Sequence, residues 1–81
     1  MDHDRYPALG PKVKVADFDA AMAAVRAVWP GAWCEGSMGA ERTWWSKDGE
    51  GKVLVAHQWP ANPRRRGEEA YVRIVPREAV R

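Results

Sequence analysis

The clearest hydrophobic pattern in the chain is a helical one at residues 17–29. Its large apolar residues, which recur at steps of four, three and four, are Phe18, Met22, Val25 and Trp29. This spacing places them on one face of a helix. Asp17 just before them is a good N-cap, and Pro30 and Gly31 just after them end a helix. The pattern therefore predicts one helix whose apolar face must be covered by the rest of the chain.

Two short strands are predicted on either side of this helix. Residues 12–15 alternate lysine and valine, the pattern of an edge strand with one buried face. Residues 32–35 predict a second short strand, which a turn or loop at 36–39 ends. Residues 1–11 contain two prolines and a glycine and show little periodicity, so we expect an irregular lead-in there.

The second half of the chain predicts the remaining strands. Residues 41–46 and 52–59 are rich in strand formers, and the pair Asp48-Gly49 between them is a strong signal for a hairpin turn. Residues 60–69 contain two prolines, a glycine and five charged residues, which exclude a strand and predict a long exposed loop. A last strand is predicted at 70–75.

These elements predict a fold class. Their order is β-α-β-β-β-β, which indicates an α+β fold with a single amphipathic helix packed on a small antiparallel sheet of four to five strands. The length of 81 residues predicts a single domain over 1–81, with a polar tail at 77–81. We expect Val72 and Ile74 to face the helix and Arg73 to lie on the opposite face. Because one helix covers only one face, the other is left for self-association or a partner.

Tryptophan is frequent, with five residues in the chain. In so small a domain most of them are expected in the core, because each supplies a large apolar area. Trp44 and Trp45 are adjacent in a strand and must point to opposite faces, so one of them is a candidate surface anchor. In the next strand, strict alternation predicts Leu54 and Ala56 on one face and Val55 on the other.

Basic residues are concentrated in the second half of the chain. The net charge is +2, but residues 42–81 carry nine basic and five acidic side chains. Three consecutive arginines in the predicted loop can bind phosphates or an acidic protein patch through bidentate hydrogen bonds. Arg42 and Arg73 on neighbouring predicted strands extend this into a basic patch. The alternative is a solvated loop that the following glutamates partly neutralise.

Composition excludes several classes of protein. A single cysteine, Cys34, excludes a disulfide framework and fits a reducing compartment. No apolar run approaches the roughly 18 residues that a membrane span needs, and the acidic residues 1–4 are unlike a signal peptide. We therefore expect a cytoplasmic protein without membrane contact. A domain this small gains stability from oligomerisation, so a homodimer is a natural assembly.

No specific catalytic, cofactor or metal motif is present. Cys34 and His57 with an acid such as Glu35 are candidates for a thiol–imidazole pair, but nothing in their spacing indicates one. One cysteine and two distant histidines exclude the usual structural zinc sites. A glycine-rich phosphate loop and a nucleophile elbow are also missing. We predict a protein that is not an enzyme and has no cofactor.

In outline the chain resembles the small proteins encoded by phages and mobile elements, anti-CRISPR proteins among them. The resemblance is carried by the compact length, the helix at 17–29, the strand meander at 41–75 and the charged loop at 60–69. It implies inhibition by occlusion, in which a small rigid domain binds a host nucleoprotein complex such as CRISPR-Cas and blocks nucleic-acid entry or partner recruitment.

The sequence therefore predicts a non-enzymatic module that binds another protein through the exposed sheet face and the arginine loop. The alternative is a small nucleic-acid-binding protein that uses a tryptophan as a stacking platform. Acidic residues near the basic ones favour the protein interface over a phosphate track. The residues predicted to bind the partner are Arg64, Arg65, Arg66, Arg73, Arg42, Trp44, Trp45 and Trp59.

Overall fold

The computed structural model describes residues 9–38, 41–61 and 69–79, with the backbone alone at 36–38. The elements in chain order are β1 (Lys12–Lys14), α1 (Phe18–Val28), β2 (Trp33–Met38), β3 (Glu41–Asp48), β4 (Gly51–Trp59), β5 (Tyr71–Ile74) and a 3₁₀ turn (Arg77–Ala79). This order confirms the predicted α+β fold. Most of the predicted lead-in and exposed loop, and the end of the tail, lie outside the described residues.

All five strands form one antiparallel sheet in the order β1-β5-β4-β3-β2. Strands β2 to β5 form a meander, while β1 lies at the far edge beside β5. Helix α1 therefore carries the chain across the sheet from one edge strand to the other. This crossing places the helix over one face and leaves the opposite face without a helix among the described residues.

Both predicted ends of the helix are confirmed. The Asp17 carboxylate accepts a hydrogen bond from the backbone N–H of Ala20 at 2.8 Å, which caps the first turn. Trp29 caps the other end, and Gly31 follows with a φ of +87°, a left-handed conformation that favours glycine. The Trp29 indole N–H donates to the carbonyl oxygen of Val75 at 2.7 Å and ties the helix end to the sheet.

Among the described residues there is no helix with the length and apolarity needed to cross a membrane.

The predicted hairpin is also confirmed. Asp48 pairs with Gly51, so Gly49 and Glu50 form a two-residue turn. Gly49 has a φ of +62°, whereas no described non-glycine residue has a positive φ. A positive φ at only the first turn position is the signature of a type II′ turn, whose twist matches that of the flanking strands.

The helix packs on the face of the sheet that contains Trp44. The Trp44 ring stacks on Phe18 of the helix, with ring centroids 5.4 Å apart. Cross-strand partners point to the same face, so Ala56 and Ile74, which continue the row from Trp44, also lie on this side. Val72 is fully buried there, as expected. The buried core consists of Leu9, Val15, Ala21, Val25, Trp29, Ala32, Trp44, Val55, Ala56, Val72 and Val75.

Strict alternation in β4 is wrong, because the strand contains a β-bulge. Trp44 pairs with Ala56 but Trp45 pairs with Leu54, which leaves Val55 as an extra residue. Val55 and Ala56 are both fully buried. The bulge therefore places two consecutive side chains in the core and moves Leu54 to the face of Trp45.

The turn or loop predicted at 36–39 is wrong for residues 36–38. Strand β2 continues to Met38, and its register shifts between Glu35 and Ser37, at Gly36. A glycine inside a strand commonly marks such a bulge, since it lacks a side chain to pack. The irregularity that the glycine predicts is present, but it is accommodated within the strand.

The edge strand β1 differs from its prediction in where its apolar residues lie. Val13 is 39% exposed within the strand, and the buried residue of this segment is Val15, just beyond it. Leu9, in the predicted irregular lead-in, also joins the core. The N–H of Gly10 donates to the carbonyl oxygen of Ile74 at 2.9 Å, and a Cβ at Gly10 would lie only 2.7 Å from that oxygen. The close approach requires glycine there.

Candidate functional site on the helix-free face

The face of the sheet opposite the helix carries aromatic and charged side chains in rows set by the strand register. We call it the helix-free face. Its first row is Trp33, Trp45 and Leu54; its second is Glu35, Thr43, His57, Arg73 and Lys12; its third is Trp59, Tyr71 and Lys14. Lys47 and Lys52 lie beyond the first row, at the hairpin end.

At the hairpin end, two tryptophans lie side by side on neighbouring strands. The Trp33 indole N–H donates to one carboxylate oxygen of Glu35 at 2.6 Å, and the Lys52 ammonium donates to the other at 2.5 Å. The same ammonium lies 4.4 Å from the centroid of the Trp45 ring. The hydrogen bonds from Lys52 and then Trp33 lower the pKa of Glu35. We call Trp33, Glu35, Trp45, Lys47 and Lys52 the tryptophan–lysine cluster.

At the other end of the face, aromatic rings pack on one another. The Trp59 ring stacks on Tyr71 at 5.1 Å, and the His57 ring lies 4.4 Å from Trp59. His57 Nε2 is 2.9 Å from a carboxylate oxygen of Glu41. The Lys12 ammonium lies 4.5 Å from the centroid of Tyr71. His57 is only 6% exposed, so this end is a packed aromatic layer rather than a set of separate surface rings.

The described part of the helix-free face is basic. Two of its cross-strand pairs join like charges, Lys47 with Lys52 and Lys12 with Arg73. Like charges directly opposite each other destabilise a sheet, and such a surface suits a negatively charged partner. The basic side chains of this face are Lys12, Lys14, Lys47, Lys52 and Arg73, and the acidic ones among the described residues are Glu35 and Glu41, together with Glu69, whose carboxylate lies 4.0 Å from the Lys14 ammonium.

The structure separates the three tryptophans that were predicted to bind a partner. Trp44 is fully buried under the helix, so it is removed from the set of surface candidates. Trp45 is the member of the adjacent pair that leaves the helix side, and it is half-buried. Trp59 lies in the aromatic layer. The candidate surface anchor of the adjacent pair is therefore Trp45.

The predicted basic patch that unites Arg42 and Arg73 is wrong. Strand β4 lies between their strands, and their register positions face opposite sides of the sheet. The Arg42 guanidinium lies 4.9 Å from the centroid of Phe18, on the helix side. The Arg73 guanidinium donates to the carbonyl oxygens of Gly10 at 2.5 Å and Leu9 at 3.0 Å, so it anchors the lead-in. The predicted loop residues Arg64, Arg65 and Arg66 lie outside the described residues.

Sequence reasoning missed the lysines of this face and Trp33. Lys47 and Lys52 are far less conspicuous in the chain than three consecutive arginines, and they meet only because the hairpin pairs them. The detectable signal was the spacing of two between Trp45 and Lys47, which places both side chains on one face of a strand. Trp33 reaches the same surface through the pairing of β2 with β3.

The structure does not bring the candidate catalytic residues together. Cys34 pairs with Trp44 on the helix side, whereas His57 lies on the helix-free face. Burial raises the pKa of the Cys34 thiol, and the nearby positive charge of Arg42 opposes this only in part. Within the described residues, no group of three or more His, Cys, Asp or Glu side chains could hold a metal ion.

Comparisons of the chain with protein-family models, with curated proteins and with solved structures found no match. Any functional assignment therefore depends on the surface described above.

Proposed function

We propose that this protein is a non-enzymatic binding module whose working surface is the helix-free face, and that it recognises a negatively charged macromolecule. The observation that carries the proposal is the excess of basic over acidic side chains among the described residues of that face, five to three with the Lys14 partner Glu69 included, on a surface with three half-buried tryptophans. Charge complementarity steers association and selects the partner, and tryptophan supplies a large contact area.

A binding role is also supported by the separation of the thiol and the imidazole. Cys34 and His57 are the thiol and imidazole that the sequence offered as a candidate pair, and their register positions place them on opposite faces of the sheet. Several charged groups of the helix-free face are engaged in ion pairs and ring contacts, such as Lys52 with Glu35 and with the Trp45 ring. Such contacts build a recognition surface rather than an activated nucleophile.

Two classes of partner have the required negative charge, an acidic protein surface and a nucleic acid. The sequence favours the protein because acidic residues accompany the basic ones, and Glu35 and Glu41 do lie on the helix-free face. The side-by-side pairing of Trp33 with Trp45 beside lysines favours the nucleic acid. Occlusion of a host nucleoprotein complex stays a prediction under either class of partner.

The experiment measures binding of two polyanions across a salt series, by fluorescence anisotropy of labelled oligothymidine and labelled oligoglutamate. We expect the wild-type protein to bind at least one of them at low salt and the K47Q/K52Q variant to bind it more weakly. The A23E/A27E variant has the same net charge as K47Q/K52Q but is altered on the exposed side of the helix. It should bind like the wild type, and failure of the wild type to bind either polyanion would refute the proposal.

A further inference from the structure

The two tryptophans of the tryptophan–lysine cluster provide an aromatic surface at neighbouring positions on the helix-free face. Trp33 and Trp45 are direct cross-strand partners in β2 and β3, so their Cβ atoms lie about 4.5–5.5 Å apart. Both are half-buried, which leaves part of each ring in contact with solvent. Neighbouring rings on one face of a sheet are a platform on which unpaired bases stack.

Two lysines border this aromatic surface. Lys47 and Lys52 are cross-strand partners, and Lys47 follows Trp45 by two residues, or about 7 Å along the strand. The Lys52 ammonium lies over the Trp45 ring, on a long and rotatable side chain. The lysines therefore lie close enough to the rings to contact the phosphates that flank a stacked base.

The Glu35 carboxylate shows that a negatively charged group binds between Trp33 and Lys52. Its two carboxylate oxygens accept hydrogen bonds from the Trp33 indole and the Lys52 ammonium. Phosphate oxygens are acceptors of the same kind and also favour charged donors. A phosphate that approaches the cluster would compete with Glu35 for Lys52.

We propose that the tryptophan–lysine cluster binds single-stranded nucleic acid. A base stacks on Trp45 in place of the Lys52 ammonium, which turns with Lys47 toward the phosphates. An acidic peptide fits less well, because among the described residues Leu54 is the one aliphatic side chain in the row of the two rings, and flat rings match planar bases better. A duplex keeps its bases stacked on one another, so it cannot use the platform. The inference rests on the proposed function and names its partner.

The test uses labelled oligothymidine in the anisotropy assay, with unlabelled duplex of mixed sequence as competitor. Trp45→Ala should weaken binding about 5- to 150-fold, the effect of losing one base–aromatic stack. K47Q/K52Q should lower the slope of log affinity against log salt by about 1.4, from about 0.7 for each phosphate contact on a single strand. A23E/A27E, which lowers the net charge by the same two units on the exposed side of the helix, is the matched control for K47Q/K52Q and should leave affinity unchanged.

Glu35→Gln provides a variant that keeps both tryptophan rings. It removes the carboxylate that competes for Lys52, so we expect affinity for oligothymidine to rise severalfold. A purely structural role of Glu35 would predict unchanged or weaker binding. Circular dichroism of each variant confirms that the sheet has formed.

The outcomes separate this inference from the proposed function. Binding of oligothymidine that weakens in Trp45→Ala, strengthens in Glu35→Gln and resists duplex competitor supports the inference. Binding of oligoglutamate alone, or of oligothymidine with no effect of Trp45→Ala, overturns it and leaves the proposed function in place. Binding of neither polyanion overturns both.

Discussion

Alanine substitution of Trp44 and of Trp45 tests which face of the sheet the helix covers. The two residues are of the same type and adjacent in β3, so the two substitutions remove the same side chain from opposite faces of the sheet. Trp44 is fully buried and stacks on Phe18 of the helix. Trp45 is half-buried, and the ammonium of Lys52 lies over its ring. We expect Trp44→Ala to destabilise the fold far more than Trp45→Ala.

The magnitude of each effect follows from burial. Removing a tryptophan side chain from water buries up to about 250 Å², which is worth about 6 kcal/mol at 25 cal/mol per Å². A partly compact denatured state reduces this to about 4–5 kcal/mol, consistent with about 3–5 kcal/mol for Trp→Ala changes in cores. At Trp45 the truncation leaves a space open to water, so the cavity contribution is absent. We expect a loss of about 1–2 kcal/mol there, including about 0.5–1 kcal/mol from the cation–π contact.

The assay is urea unfolding followed by far-UV circular dichroism. A domain of 81 residues has a typical stability of about 4–12 kcal/mol, so Trp44→Ala can unfold most of the protein. Trp44→Phe provides a folded comparison, because it keeps a ring against Phe18 and removes a buried indole N–H that has no partner among the described residues. Equal losses for the two alanine variants, or a larger loss at Trp45, would refute the face assignment.

Three further predictions concern single contacts. Asp17→Ala should lower the free energy of unfolding by about 1 kcal/mol through loss of the helix cap, whereas Asp17→Asn should nearly retain it; equal losses in urea unfolding would contradict this. The hydrogen bond from Lys52 is the main cause of the lowered pKa of Glu35. The stabilisation that Glu35 provides is therefore complete above the ordinary glutamate pKa, about 4.3, and is lost as the pH falls through the lowered pKa of the folded state. The melting temperature of Glu35→Gln should therefore lie below that of the wild type at neutral pH and converge with it in acid; a gap that widens in acid would contradict the sign. Alkylation of Cys34 by iodoacetamide should be slow at neutral pH, because burial raises the pKa of the thiol. Arg42→Met removes a positive charge and keeps an apolar side chain, so it should move the pH midpoint of alkylation upward. A downward movement would count against the role of Arg42.

The elements that could be predicted from the sequence depend on near neighbours in the chain. The helix is specified by Asp17 and Gly31 at its ends and by the apolar spacing between them. The hairpin is specified by Gly49, whose positive φ the turn requires. These determinants act over a few residues, so they are visible in any short window of sequence.

The elements that were mispredicted depend on the register between neighbouring strands. Two irregularities arise where strands pair with β3: the extra residue Val55 in β4 and the register shift at Gly36 in β2. The sequence of β4 or of β2 alone does not show how that strand pairs with β3. A bulge reverses the face of every residue beyond it, because side chains alternate along a strand. Leu54 consequently shares a face with Trp45 and not with Ala56.

The candidate site was predictable only in part for the same reason. That one of Trp44 and Trp45 must leave the helix side follows from alternation alone, whereas which one leaves depends on the side that the helix covers. The joining of Trp33, Trp45 and Lys52 requires three strands in register.

The sequence by itself determined the number and order of the elements, the ends of the helix and the hairpin turn, because these depend on backbone preferences and on side chains close in the chain. The tertiary structure decided which tryptophan is fully buried, which arginine is already bound to backbone carbonyls and which lysines lie beside half-buried tryptophan rings. Those outcomes depend on register and on the face that the helix covers, and both are set by packing between residues far apart in the sequence.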